Sequence, residues 1–469
     1  MLFNSYIFLF IFLPITLLGY HLIGKRGNSR AVIFWLVFAS LFFFAWSSPY
    51  YLILISASIL FNYAFGLILA RPIKHRKLVM ASGVAVNILL LGYFKYTNFF
   101  IDNINALFHT SIHLDTIVLP LAISFFTLQQ ITYLVDIYRG ERPEHGFWEY
   151  CLFVTFFPKL LSGPIVRMKE MMPQIGKQFT PRITSQAIAV GLTILFLGLF
   201  KKAVIADQIG AFVAPVFDAA AQGSGINFFN SWSGALAYTF QLYFDFSAYS
   251  DIAIGLGLIF GIRLPLNFYS PYKAKSIIDF WRRWHMTLSS FIRDYIYIPL
   301  GGNRHGFLRQ VIYLLVAMTI AGLWHGAGWT FVIWGSLHGF YLAVNHGWRQ
   351  LKRVLGMERE EKRGSWWGGA LSTLITFIAI TLAWVFFRAD SLNAAIEMLK
   401  GMFGVYGFHL PVTYFAPLGA AGHFLSQIGV NFDLLYPLPG FAPLAIFWIL
   451  VSLFICWFLP NVQEYMKRD

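Results

Sequence analysis

Residues 280–304 read FWRRWHMTLSSFIRDYIYIPLGGNR. At helical spacing Trp281, Trp284, His285 and Leu288 share one face, at i, i+3, i+4 and i+7. Arg282 and Arg283 flank that face. Arg293 and Asp294 follow, and a glycine pair ahead of Asn303 ends the element. The pattern predicts one amphipathic helix at a membrane surface, where Trp and Arg are ordinary residues. A histidine beside two tryptophans on that face also suggests a lined cavity.

The surrounding chain supports the membrane setting. Of its 469 residues 58% are hydrophobic, 19% aromatic and 12% charged, against about 25% charged in soluble domains. Mean hydropathy is +0.63. Apolar runs at 3–23, 31–46, 50–70, 78–94, 117–135, 149–166, 186–205, 234–261, 311–345, 369–388 and 441–459 are long and unbroken. They predict an all-α polytopic membrane protein and exclude a β-barrel, whose strands would be short and alternating. About 11 or 12 embedded helices are expected, not all full spans, given the roughly 20 residues needed to cross. The run at 311–345 is long enough for two segments around GLWHGAGW.

The formal charge of +14 falls mostly in short loops. GKRGNSR (24–30) and RPIKHRK (71–77) are basic, and SSP (47–49) is neutral. This alternation predicts a first span with its N-terminus outside and basic loops in the cytoplasm. It favours a topological role for the basic residues over nucleic-acid binding and leaves room for an anionic ligand. The first apolar run has its basic residues after it and no cleavage-site pattern, so an uncleaved span is expected. PKLLSGPIVRMKEMMPQ (158–174) reads as a re-entrant element. HGWRQLKRVLGMEREEKRG (346–364) reads as a solvated cytoplasmic loop with an amphipathic helix, within a cytoplasmic segment of about 346–368. The 390–440 stretch reads as a non-cytoplasmic loop.

A second polar island is GLWHGAGWTFVIWGSLHG (322–339). His325 stands in an apolar run. Ionisable groups at that depth are costly and face a partner or a water-filled cavity. Gly322, Gly326 and Gly328 around it allow close backbone approach or a helix break. His338 has similar surroundings. In FDFSAYSDIAIGLGLIFGI (244–262), Asp245, Ser247, Ser250 and Asp251 are polar within a span, and Asp251 suits pairing with an arginine of 282–293, which would orient helices, or a hydrophilic path. Cys151 and Cys456 are far apart and give no disulfide or metal framework. No histidine or carboxylate stands at ligand spacing beside His285 or His325, so no metal site is expected. An ion-coupled transporter is the competing reading of the intramembrane His and Asp, although no inverted repeat is visible. A third is a scaffold that docks a periplasmic enzyme.

The two islands resemble the paired signature regions of membrane-bound O-acyltransferases, in particular the bacterial branch that acetylates alginate. LGYFKYTNFF (91–100), LPLAISFFT (119–127), LVDIYRG (134–140), SGPIVR (162–167), LYFDFSAYSDIAIGLGL (242–258) and VFFRAD (385–390) add to the likeness in family order. The resemblance implies one integral domain over 1–469, with a signature core at about 242–345, built as a ring of tilted and re-entrant helices around a central tunnel. It implies His325 of LWHG as the catalytic residue and His285 of FWRRWH as the second histidine. It implies acetyl-CoA as a cytoplasmic donor substrate with no permanently bound cofactor. A periplasmic acetyltransferase and a polysaccharide synthase complex are the implied partners, in the bacterial inner membrane. Alginate, cellulose, a related exopolysaccharide or peptidoglycan would be the final acceptor. Charge placement makes Lys273, Arg282, Arg283 and Arg293 candidates for the donor phosphates, since guanidinium forks suit phosphate oxygens. Trp281, Trp284, Trp324, Asp294 and Asn303 complete the expected binding or tunnel-lining set.

Overall fold

A computed structural model describes residues 1–46, 49–141, 146–175, 184–356, 365–433 and 441–466. Among these the chain is mainly helical, with almost no strand. Seven helices are long and apolar enough to cross a membrane: Phe8–Lys25, Tyr51–Leu69, Arg76–Phe108, Ser185–Ala221, Phe228–Ile259, Phe307–His325 and Trp366–Arg388. Ser29–Ala45 and Pro443–Phe458 are shorter apolar helices. Several other expected runs form helices too short or too polar to cross alone, such as Ile123–Tyr138 and Phe147–Thr155. The chain is a multi-pass membrane protein.

It divides into two compact units. One comprises Met1–Leu199 with Ala248–Asn267; the other comprises Phe200–Ser247 with Phe268–Asp469. In the first, helices are tied by buried polar groups. Asn62 and Asn87 exchange amide hydrogen bonds of 3.2 and 2.7 Å between Tyr51–Leu69 and Arg76–Phe108. Tyr20 donates to the Phe260 carbonyl at 2.7 Å. Burial supplies no hydrophobic drive between helices in lipid, so such bonds and close packing hold them.

The second unit carries both polar islands. Its central feature is a helical hairpin, Phe307–His325 against Trp329–Val354. A Cβ at Gly322 would collide with the Phe331 carbonyl, and one at Gly335 with the Met318 carbonyl. Only glycine lets the two backbones lie this close. Thr319 and Ser336 add a hydroxyl pair at 2.9 Å. The single run at 311–345 therefore splits around GLWHGAGW, as the sequence predicts. Trp329–Val354 carries the helical reading of 346–364 as far as Val354; residues 357–364 lie outside the described set.

Lys202 pairs with Asp245 at 2.6 Å and with Asp207 at 2.8 Å. This is a charge pairing that orients helices, found at Asp245, whereas the sequence suggests it at Asp251. The 390–433 region is more ordered than a loop. It holds the helix Leu392–Met402 and a two-stranded parallel sheet, His409–Pro411 beside Asn431–Asp433. Three-residue strands carry too little alternation to be read from sequence.

Candidate active site

The expected single helix over 280–295 does not form. Ile277–Trp281 is a short helix capped by Ser276, whose hydroxyl accepts from the Asp279 amide at 3.2 Å. The chain then turns through Arg282–His285, and a second helix begins at Met286. His285 has φ 42°, in the left-handed region, so it ends one helix's path and starts the next. Non-glycine residues avoid that region, and where one persists the surroundings enforce it. Here the Tyr269 amide donates to the Arg283 carbonyl at 3.0 Å, and the Ser289 hydroxyl to the Trp284 carbonyl at 3.1 Å. Residues four apart do not share a face here, because the helix is interrupted between Trp281 and Met286. Two turns later a π-helical stretch, Ile292–Tyr297, re-aims Arg293 and Asp294. Gly301 and Gly302, at φ 129° and 58°, end the element as expected.

The break brings His285 to His325. Their ring centroids are 6.3 Å apart. His325 is the last residue of its helix, followed by the extended Gly326. A Cβ on Gly326 would overlap the Phe331 ring. His325 is half-buried and His285 is 1% exposed. Aromatic rings wall the pair. Trp334 lies 5.2 Å and Phe387 5.1 Å from the His325 ring, and Phe246 lies 4.7 Å from the His285 ring. Trp324 touches both histidines, at 6.1 and 4.9 Å. One histidine is reachable and the other is locked beside it.

A cavity of about 400 Å³ is lined by Met286, which follows His285, and by Ala321, one turn before His325, but by neither histidine. Ile278, Leu288, Leu314 and Met318 supply apolar wall; Arg282, Arg293 and His346 supply basic groups, and Trp281 closes one side. Burial lowers the His346 pKa below that of an ordinary imidazole, and the charges of Arg349 and Arg282 lower it further. Two cations pressing on a third basic group mark a place suited to an anion.

The other expected residues divide. Arg283 pairs with Asp279 at 2.8 Å, turned into the structure of the break, and does not line the cavity. Lys273 donates to the Leu459 carbonyl at 2.7 Å. Arg293 lines the cavity while forking onto Asp294 at 2.6 and 3.1 Å. Trp284 is buried between Phe268, at 5.0 Å, and Trp384, at 4.9 Å, and acts as packing. Asn303 is exposed in the turn after the glycine pair. The sequence reading passed over Trp334, Phe387, Phe246 and His346. A signal existed for two of them. Trp334, His338, Leu342 and His346 recur every four residues, so one helix face runs from the histidine pair to the cavity. No group of metal-ligating side chains occurs among the described residues.

A multi-pass membrane protein with a recessed histidine pair and a cavity lined in part by basic groups is a narrow class. The comparisons with known proteins place it. The membrane-bound O-acyltransferase family model matches residues 138–387, and the chain belongs to that family. It is an O-acyltransferase. It is 44% identical over 438 residues to the peptidoglycan O-acetyltransferase of Helicobacter pylori, covering 87% of this chain and 81% of that one. It is 40% identical over 411 residues to the probable alginate O-acetylase of Pseudomonas aeruginosa, covering 86% and 75%. A teichoic acid D-alanyltransferase of Streptococcus thermophilus is 29% identical over 282 residues, covering 57% and 68%.

Proposed function

We propose that this enzyme takes an acetyl group from acetyl-CoA at the cytoplasmic face of the inner membrane and passes it outward for O-acetylation of an extracytoplasmic polysaccharide. The observation that carries this reading is the His285–His325 pair, 6.3 Å apart, together with a cavity of apolar wall and basic groups lined by their neighbours Met286 and Ala321. An acyl thioester with a phosphorylated carrier needs both features.

The chemistry follows from the residues. The acceptor hydroxyl attacks the thioester carbonyl while His325 takes its proton. A neutral imidazole is suited to this near pH 7, and such general-base help is worth roughly 10²–10⁴ in rate. The tetrahedral intermediate then collapses, the C–S bond breaks, and the imidazolium returns the proton to the departing thiolate. His285, fixed by its strained backbone and its cage, sets the geometry beside the carbonyl or stabilises the oxyanion. Arg282 and Arg293 hold the donor phosphates at the cavity. The acceptor hydroxyl belongs to a separate periplasmic acetyltransferase, which completes the transfer to glycan within a polysaccharide-synthase assembly.

The 44% identical relative is named for peptidoglycan, so peptidoglycan is the first acceptor to test, with alginate, cellulose or a related exopolysaccharide next. The test deletes the gene and measures base-released acetate from purified peptidoglycan and from secreted polysaccharide. Acetate should fall in one of the two. The wild-type gene should restore it, and the His325→Ala variant should not while still accumulating in the membrane. Full restoration by His325→Ala overturns the catalytic reading. Coupled solute uptake into proteoliposomes without acetyl-CoA would favour transport instead.

A further inference from the structure

We infer that His338 is a positioning residue of the acyl-transfer site: it holds the Trp281 indole in place as the wall between the donor cavity and His325. The inference rests on the acyltransferase reading above and names a residue that reading does not use.

The Trp281 indole Nε1–H donates to His338 Nδ1 at 3.3 Å. A ring nitrogen that accepts carries no proton, so the neutral His338 ring has its proton on Nε2. That nitrogen has no hydrogen-bond partner among the described residues. Among the described residues the one hydrogen bond of the His338 side chain is the one that fixes Trp281.

Position gives that bond its consequence. Trp281 lines the cavity on one side. On the other it touches Trp334 at 6.0 Å, and Trp334 lies 5.2 Å from the His325 ring. Trp281 is thus in contact with the cavity and, through the Trp334 ring, with the surroundings of His325. Trp281 sits on the last residue of a five-residue helix, ahead of the Arg282–His285 turn, so its backbone alone gives its ring little support. His338 is anchored far better. It is 0% exposed, caged by Trp334 at 4.8 Å, Tyr341 at 5.8 Å and Trp384 at 6.0 Å. Its neighbour Gly339 packs so close to the facing helix that a Cβ would come 2.9 Å from the Leu315 Cα. A fully buried, tightly packed residue of the hairpin thus fixes the orientation of a cavity-lining ring. In a dry site a single such bond is strong, and its loss strands a buried donor.

The test is a cycle of variants assayed as acetyl transfer from labelled acetyl-CoA in membranes, per molecule of protein by quantitative immunoblot. His338→Phe keeps a ring and removes the acceptor; Trp281→Phe keeps a ring and removes the donor. Each should lower kcat by about 10- to 100-fold with little change in KM for acetyl-CoA, because sub-ångström misplacement of reacting groups has costs of that order. The double variant should be no worse than either single one, as for two halves of one interaction. His338→Asn, whose side-chain carbonyl can accept at the Nδ1 position, should recover most of the rate. His338→Gln, which places its polar group at the Nε2 position, should not. Equal rates for Asn and Phe, or single effects that multiply in the double variant, overturn the inference. His325→Ala runs alongside: if it abolishes transfer while His338→Phe is neutral, the inference fails and the acyltransferase reading stands. If His325→Ala is active, the reading itself fails.

Discussion

The two site histidines occupy opposite kinds of helix break. His325 ends an apolar helix at a glycine stop, half-buried, in relaxed backbone geometry. His285 stands inside a strained turn at φ 42°, sealed by aromatic rings. A proton acceptor must exchange with substrate and solvent, and the first environment allows that. A group that only fixes geometry gains from the second. The contrast fits the base role proposed for His325 and the supporting role proposed for His285, although both sit beside tryptophans in similar-looking stretches.

The largest expected effect tests that contrast directly. His325→Ala should reduce turnover by about 10²–10⁴ fold, the range for loss of a general base. His285 must be read with two substitutions, since its backbone and ring matter separately. His285→Asn tolerates the left-handed backbone and removes the imidazole; His285→Ala keeps neither advantage. If the ring supports the reaction, Asn should lower kcat by about 10- to 100-fold with normal protein levels, and Ala should also lower accumulation. Equal, near-complete loss for His325→Ala and His285→Asn at normal protein levels would erase the distinction between them.

A smaller effect separates the two arginines of the 282–285 turn. They are adjacent in sequence, yet Arg282 lines the cavity and Arg283 is tied to Asp279 at 2.8 Å. Arg282→Ala should raise KM for acetyl-CoA about tenfold with kcat unchanged, the signature of lost uniform binding. Arg283→Ala should leave KM alone and lower the amount of folded protein. Matching KM changes in both would mean that the turn, and not the cavity, sets donor affinity.

Why these roles were only partly legible follows from the same elements. The membrane class was plain, because long apolar runs without charge admit one solvent. The hairpin split was plain too, because three glycines around His325 announce a break. The turn at 282–285 was hidden. No glycine or proline marks it, and a left-handed histidine is enforced by contacts from residues distant in sequence, such as Tyr269 and Phe246. Helical spacing therefore drew Trp281 and Trp284 onto one shared face, whereas in the structure one lines the cavity and the other packs in the core. Arg282 and Arg283 could not be told apart for a similar reason: their roles depend on which side of a tight turn each leaves. The face through Trp334, His338, Leu342 and His346 was readable by period, but the polar residues after it pulled His346 into a supposed loop.

The smallest expected effect lies at the cavity mouth. His346 has its pKa lowered by burial first and by the Arg349 and Arg282 charges second. A base whose folded pKa is depressed stays neutral as pH falls until the lower value is reached, and the folded state then resists its protonation. Removing one cation must raise that pKa; adding an anion must do the same. Arg282→Gln should therefore shift the His346 titration upward, and so should a phosphorylated ligand bound to the wild-type protein. Selectively labelled histidine NMR in detergent micelles reads the shift. The two changes should not add: with Arg282 gone, the ligand loses a contact, so its own effect on His346 should shrink. An undiminished ligand shift in the Arg282→Gln protein would place the phosphate on Arg293 alone and leave Arg282 a bystander at the break.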